Sequence, residues 1–332
     1  MTAPPPLVHN QPPLSGWIIL DKPVGLGSTQ AVSAVKRAVR EAGLPKTKVG
    51  HGGTLDPLAS GVLPVALGEA TKLCGRMLDA TKAYDFTIRF GQETSTLDAE
   101  GEVVACSDVR PTWEQVEAIL PRFTGEIEQV PPAYSALKVD GRRAYDLARA
   151  GEEVLLKSRR VTILQLLPLG GDVMRRMTEG SVTPPPPLRS ATSRKGEELK
   201  EVTLSATVSK GTYIRSLARD IAHALGTVGH VTMLRRTKAG PFALDQAISL
   251  DFLAEAAKAR RLDGAVFPLE AGLDDIPALP VTPDQARLLR QGQRPVGPPV
   301  KPGLYLATDE LRPVALVEAS ADGLRVVRGF NV

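Results

Sequence analysis

The chain of 332 residues is long enough for about two domains, and its 42% hydrophobic and 23% charged residues permit a buried core. No run approaches the roughly 20 apolar residues of a membrane helix, and the opening lacks the basic and apolar regions of a secretory signal, so the chain reads as cytosolic, with no membrane partner. Its 2 cysteines and 4 histidines fall at no disulfide or metal-ligand spacing, and a formal charge of +4 is compatible with a polyanionic partner without requiring one.

In chain order, residues 1–15 are proline-rich and predict a disordered terminus. The apolar run Trp17-Ile18-Ile19-Leu20 predicts a strand ending at Asp21-Lys22-Pro23. Ser28 or Thr29 can then cap a helix with Val32, Val35 and Val39 on one face, stopped at Gly43. A glycine-rich loop follows, Gly50-His51-Gly52-Gly53-Thr54-Leu55-Asp56-Pro57, before an apolar segment over 62–67 and a helix over 69–80. Strict alternation over 84–90 predicts a half-buried strand. Thr112 can cap a helix that turns Val116, Ile119 and Leu120 inward, and Asp140-Gly141 signals a hairpin. A short helix over 144–150 stops at Gly151; strands near 160–168 and 200–208, a helix after Lys210-Gly211-Thr212 and a strand over 231–235 complete this part. The whole predicts an α+β domain on a mixed or antiparallel sheet, spanning residues 16–275.

Two stretches interrupt it. Residues 170–196 carry four consecutive prolines at 184–187 with scattered Ser, Thr and Arg, which predicts a flexible insertion. Ile276-Pro277-Ala278-Leu279-Pro280 reads as a linker to a small β-rich appendage over 280–332. Arginine pairs recur at Arg142-Arg143, Arg159-Arg160, Arg175-Arg176, Arg235-Arg236 and Arg260-Arg261. Spread in this way they suit contact with a folded nucleic-acid backbone, or form solvated edges.

Chemistry, if present, falls to carboxylates and tyrosines. Asp56 follows three glycines and precedes a proline, a setting in which the backbone bends and approaches a ligand closely. It can be a general base or nucleophile, or an aspartate that caps its own loop. A phosphate cradle does not fit, because no Gly-Lys-Ser or Gly-Lys-Thr follows.

The run Gly50-His51-Gly52-Gly53-Thr54-Leu55-Asp56-Pro57-Leu58-Ala59-Ser60-Gly61-Val62-Leu63-Pro64 resembles the catalytic motif of the TruB family of pseudouridine synthases. Further segments resemble that family in order: Asp21-Lys22-Pro23-Val24-Gly25; Lys82-Ala83-Tyr84; Gly91-Gln92 with Thr94, Thr96, Asp98 and Gly101; PPAYSALK from Pro131 to Lys138; Ser209-Lys210-Gly211-Thr212-Tyr213-Ile214-Arg215; and His230-Val231 through Leu234-Arg235-Arg236. The resemblance implies isomerisation of the uridine at tRNA position 55, in the T-arm loop, by a chain that needs no cofactor and no obligate protein partner. It implies Asp56 as the essential carboxylate, Tyr84 stacked on the target uracil and Arg215 paired with the aspartate. It further implies His51, Tyr213, Leu234 and Lys22 in substrate binding, with Lys22 supporting the site rather than reacting, and a PUA-like RNA-binding module at the C-terminus. The proline-rich terminus and the 170–196 insertion depart from the family pattern. Two other functions share these motifs: an RNA-binding or RNA-folding protein with incidental catalysis, and a synthase directed by a guide RNA.

Overall fold

A computed structural model of the chain describes residues 13–135, 137–139, 141–152, 154–169 and 196–331. The expected disordered residues 1–15 fall outside these for positions 1–12, and the expected insertion falls outside them for positions 170–195.

Strand β1 (Gly16–Lys22) is apolar on both faces and is covered on both. Ile18 and Leu20 enter one core cluster, while Trp17 and Ile19 enter another. Helix α1 (Ser28–Glu41) lies over the first cluster through Ala31, Val32, Val35, Ala38 and Val39. Gly43, in the left-handed region at φ +75°, follows the helix end, as its position predicts. Strand β2 (Val49–His51) and β3 (Ala59–Leu67) pair antiparallel, so the glycine-rich segment is the bend of a hairpin whose second strand lies against β1. A 3-10 turn (Gly68–Leu73) and α2 (Cys74–Asp79) share the stretch expected as one helix.

Strand β4 (Lys82–Phe90) leads to a side hairpin of β5 (Gln92–Thr94) and β6 (Val103–Cys106). Helix α3 (Trp113–Ile119) begins with a reciprocal cap in which Thr112 Oγ1 accepts from the Gln115 amide and Gln115 Oε1 from the Thr112 amide. Next come β7 (Gly125–Gln129), the short paired strands β8 (Lys138–Val139) and β9 (Arg142–Arg143), and α4 (Ala144–Arg149). Strands β10 (Arg159–Pro168) and β11 (Glu201–Val208), helix α5 (Ile214–Ala224), β12 (Gly229–Ala239) and β13 (Phe242–Ala243) follow. Helix α6 (Leu250–Lys258), capped by Ser249 Oγ, occupies a stretch for which the sequence pattern predicts no element.

The main sheet has nine strands, ordered β1-β3-β12-β4-β11-β10-β7, with β2 on β3 and β13 on β12. All its pairings are antiparallel except β12 with β3, so the sheet is mixed, as expected. Strand β4 has one buried face and one that is partly covered. It sits between β12 and β11, with Phe86, Ile88 and Phe90 buried on one side and Thr87 on the other, where its hydroxyl meets that of Thr203 at 2.9 Å. Alternation here includes a polar pair enclosed between neighbours at Thr87, while Arg89 on the same face is exposed.

The last strands, β14 (Ala278–Pro280), β15 (Gly303–Asp309), β16 (Arg312–Ser320) and β17 (Gly323–Gly329), form a second sheet, with α7 (Pro283–Arg290) packed on it. The stretch expected as a linker is therefore ordered. Ile276 is buried, and β14 pairs parallel with β15 as the sheet's edge strand, where prolines are tolerated because one side needs no amide donor. This second sheet is β-rich, as expected, and it packs on the first: Leu306, Leu316 and Phe330 join Trp17, Ile19 and Phe242 in one cluster.

Phe330 is 1% exposed within that cluster. Phe330→Ala is expected to lower the unfolding free energy by about 3–5 kcal/mol in urea denaturation; a loss well below that range would show that the cluster does not join the two sheets.

Candidate active site

The glycine-rich hairpin bend opens into a cleft of about 1200 Å³, larger than the roughly 300–1,000 Å³ of ordinary small-molecule sites. Its walls come from the bend itself, the start of β4, the turn after β5, the segment after β7, the entry to α5 and the middle of β12. Asp56 stands in it with its side chain 41% exposed.

The bend is held from three directions. Ser28 Oγ, at the start of α1, donates to the Leu55 carbonyl at 2.9 Å and accepts from the Leu55 amide at 2.8 Å. Lys22 Nζ donates to the carbonyls of Pro23 at 2.9 Å, Leu26 at 2.7 Å and Pro57 at 3.4 Å. The Arg236 guanidinium reaches Gly53 and Thr54 from β12. An aspartate on a loop this constrained has few backbone states to lose on binding, which is what preorganisation means physically.

Arg215 lies in the first turn of α5, and its side chain is 6% exposed. One terminal nitrogen meets Asp56 Oδ2 at 2.9 Å and the Tyr134 carbonyl at 2.9 Å. The other meets Asp98 Oδ2 at 3.2 Å and the Thr96 carbonyl at 2.8 Å. A cation at a helix N-terminus opposes the helix dipole; here two carboxylates and two carbonyls offset that and its desolvation. The helix entry is braced by Gln129, which exchanges hydrogen bonds of 2.8 and 3.1 Å with the backbone of Tyr213.

Asp98 is buried and placed by its own turn. Thr94 Oγ1 donates to its carbonyl at 2.6 Å and the Glu100 amide to its carboxylate at 3.1 Å, while Leu97 takes the left-handed region at φ +62°. A bulky residue in that region is strained by about 1–3 kcal/mol, and the turn holds it there.

The other expected residues come together with one exception. Tyr84 and Leu234 line the cleft and pack against the two clusters beneath it. Tyr213 lines it too, with the Arg159 guanidinium 4.8 Å from its ring centre. His51 Nδ1 accepts from the Gly53 amide at 3.3 Å, which puts a neutral ring's proton on Nε2. Burial, and then the charge of Arg236, hold this imidazole below the ordinary histidine range. Lys22 is the exception: it is fully buried behind the bend and does not line the cleft, so it acts on the loop from behind.

Sequence reasoning missed a role for Asp98, Arg236, Ser28 and Lys82. Lys82 lies two residues before Tyr84 on the same face of β4, with Nζ donating to the carbonyls of Leu78 and Ala80 at 2.6 Å. The pair Arg235-Arg236, expected as a phosphate contact or a solvated edge, is engaged within the fold. Arg235 forms a two-pronged pair with Asp21 at 3.0 and 2.8 Å, and Arg236 is buried. Among the described residues no group of three or more His, Cys, Asp or Glu is arranged to hold a metal ion, and no helix is long and apolar enough to cross a membrane.

A family model described as TruB family pseudouridylate synthase (N terminal domain) matches residues 40–214, and one described as tRNA pseudouridylate synthase B C-terminal domain matches residues 215–274. The tRNA pseudouridine synthase B of Novosphingobium aromaticivorans is 60% identical over 319 residues, covering 96% of this chain and 98% of that protein. The protein of the same name from Zymomonas mobilis is 57% identical over 318 residues, covering 96% of each. A chain from the crystal structure of a Cbf5-Nop10-Gar1 complex superposes with a TM-score of 0.65 at 25% identity, over 95% of this chain and 84% of that one.

The buried cations of the site make its electrostatics measurable. Burial is the main cause that lowers both Lys22 and Lys82 to about 8; Arg236 lowers both further, while Asp56 opposes the shift at Lys22 and Asp79 at Lys82. Below pH 8 both lysines are protonated whether the chain is folded or unfolded, and neither adds a slope. From 8 to 10.5 the unfolded chain keeps protons that the folded one has lost, so unfolding free energy rises with pH, by up to about 1.4 kcal/mol per pH unit for each lysine. In urea titrations between pH 8 and 10, Lys82→Met should show a shallower rise than the wild type; identical slopes would mean that this amine is not depressed.

Proposed function

The chain belongs to the TruB family of pseudouridine synthases, and on that premise we propose that it converts the uridine at position 55 of the tRNA T-arm loop to pseudouridine, with Asp56 as the catalytic carboxylate. The observation that carries the reading is the Asp56–Arg215 ion pair of 2.9 Å, at the edge of an open cleft that also holds the Tyr84 ring.

The reaction breaks the bond from N1 of uracil to C1′ of ribose, turns the detached base and forms a bond from C5 to C1′. The proton at C5 is lost and N1 gains one, so the change is an isomerisation with no net oxidation and no group donor. It calls for an ionised carboxylate oxygen at the junction of sugar and base. Arg215 engages Oδ2 of Asp56 and restricts its rotation, while the exposed edge of the carboxylate faces the cleft.

The target base must first leave its stack, at a cost of a few kcal/mol. Tyr84 supplies an aromatic face that offsets this cost, and Tyr213 and Leu234 close the pocket around the pyrimidine. His51, neutral in this setting, donates from Nε2 to the opened RNA loop. Loops with splayed bases are the ordinary targets of sequence-selective RNA recognition, since the A-form major groove is too narrow to read. Arg143, Tyr145 and Arg149, on the same cleft wall, add two guanidiniums 5.8 Å from one aromatic ring, a surface suited to phosphate and base. The C-terminal sheet serves as a PUA-like RNA-binding module. The chain acts alone, without guide RNA or obligate protein partner; what supports this is that the 60% identical relative, matched over 96% of this chain and 98% of its own length, is named as a tRNA enzyme.

Purified chain with an isolated T-arm stem-loop, with no guide RNA present, should form pseudouridine at the expected position. Asp56→Ala should reduce product formation by at least about a thousandfold while stem-loop affinity stays within about threefold. Normal product from the variant would remove Asp56 from the chemistry, and binding without product from the wild type would leave an RNA-binding protein.

A further inference from the structure

Arg236 is 1% exposed, and among the described residues none of the ion pairs involves it. Its hydrogen bonds end on backbone carbonyls. Nε donates to Val62 at 2.7 Å, and the two terminal nitrogens donate to Gly53 at 3.1 Å and Thr54 at 3.3 Å. A buried guanidinium is ordinarily matched by a carboxylate, because its desolvation is costly. Here the fold directs that charge onto the loop carrying Asp56.

The backbone around residue 236 is arranged for this contact. Arg236 lies opposite Gly61 in the parallel pairing of β12 with β3, and opposite Tyr84 in the antiparallel pairing with β4. Gly61 has φ +98°, and a Cβ there would collide with the Arg236 carbonyl. Only glycine lets the strand after the catalytic bend approach this closely. One residue thus sits beside Tyr84 through its main chain and beneath the Asp56 loop through its side chain. The planar fork of the guanidinium spreads three donor nitrogens in one plane and so holds carbonyls on two segments in a fixed relative geometry, which the rotatable ammonium of a lysine does not impose.

We propose that Arg236 is a positioning residue for Asp56, holding the Gly53 and Thr54 carbonyls so that the carboxylate two residues on keeps one geometry toward Arg215 and the extruded uridine. The inference rests on the function proposed above. It differs from a phosphate-binding role for the same arginine, which would appear in substrate affinity. The charge also reaches its neighbours, since Arg236 contributes to lowering His51, Lys22 and Lys82.

The test compares wild type with Arg236→Lys and Arg236→Met. For each variant, kcat and KM are measured on a T-arm stem-loop, amide hydrogen exchange over residues 53–56 and over β1, and the His51 titration by NMR. Displacement of the loop predicts kcat lower by about 10- to 100-fold in Arg236→Lys, with KM within about twofold and partial activity relative to Arg236→Met. Exchange should accelerate over 53–56 and stay unchanged in β1, and the His51 midpoint should rise in Arg236→Met. Unchanged kcat, or a raised KM with unchanged kcat, would overturn the proposal. So would failure of both variants to fold, which would make Arg236 a determinant of the fold alone. An inactive wild type would sink the proposed reaction instead; the exchange and titration measurements would then still decide whether Arg236 holds the loop.

Discussion

A guanidinium taken out of water must be satisfied on every side, and the arrangement of this site follows from satisfying Arg215. Its two terminal nitrogens divide between Asp56 and Asp98, and each also takes a backbone carbonyl. The groups that meet it come from the catalytic bend, the turn after β5 and the segment after β7, and Arg215 itself belongs to the first turn of α5. Removing any one would leave part of a buried charge unpaired, which costs more than the lost contact itself. Four distant segments are thereby held to one point. Of the three charged groups, Asp56 alone has a substantial exposed edge, so the cleft meets one open carboxylate while the second stays largely enclosed as a counter-charge.

The sheet makes that convergence possible. The antiparallel register of β1 with β3 fixes where the bend begins and ends, and the parallel register of β12 with β3 sets Leu234 opposite Ala59 and Arg236 opposite Gly61. Because side chains alternate across a strand, Arg235 and Arg236 go to opposite sides. One binds Asp21 at the end of β1, and the other passes under the loop. Adjacent residues of one strand thus tie the catalytic bend from below and, through Asp21 and Ser60, the strands beside it.

Much of this was legible in the sequence, and the parts that were not share a cause. Local signals predicted β1, the end of α1 at Gly43, the Thr112 cap, the central strand and the strands of the C-terminal sheet, because caps, glycine conformations and apolar runs act over a few residues. The motif resemblance brought Asp56, Tyr84, Arg215, His51, Tyr213 and Leu234 into view, and the structure places all six around one cleft. What escaped depends on partners far along the chain. The Arg235-Arg236 pair looks the same in sequence whether its charges meet phosphate, an aspartate or buried carbonyls. Lys22 sits in a motif and yet faces away from the cleft, since strand alternation alone does not say which face a neighbouring loop covers. Asp98 stood in a recognised segment, but its pairing with Arg215 needs the turn at Leu97, whose backbone no local pattern demands. Ile276 to Pro280 read as a linker because prolines mark breaks, although an edge strand can hold them.

The cluster that joins Trp17 to Phe330 has a consequence for how the protein is made. At roughly 5–20 residues per second of synthesis, the first strand waits on the order of tens of seconds before its last packing partner has been translated. Throughout that interval an indole and an isoleucine of β1 lack part of their cover, on a strand apolar on both faces. Such a nascent chain presents a sticky surface at its leading end, and contacts this distant along the chain are slow to form even after release. Antiparallel pairing of β1 with β3, which are close along the chain, would cover part of that strand before its final partners arrive.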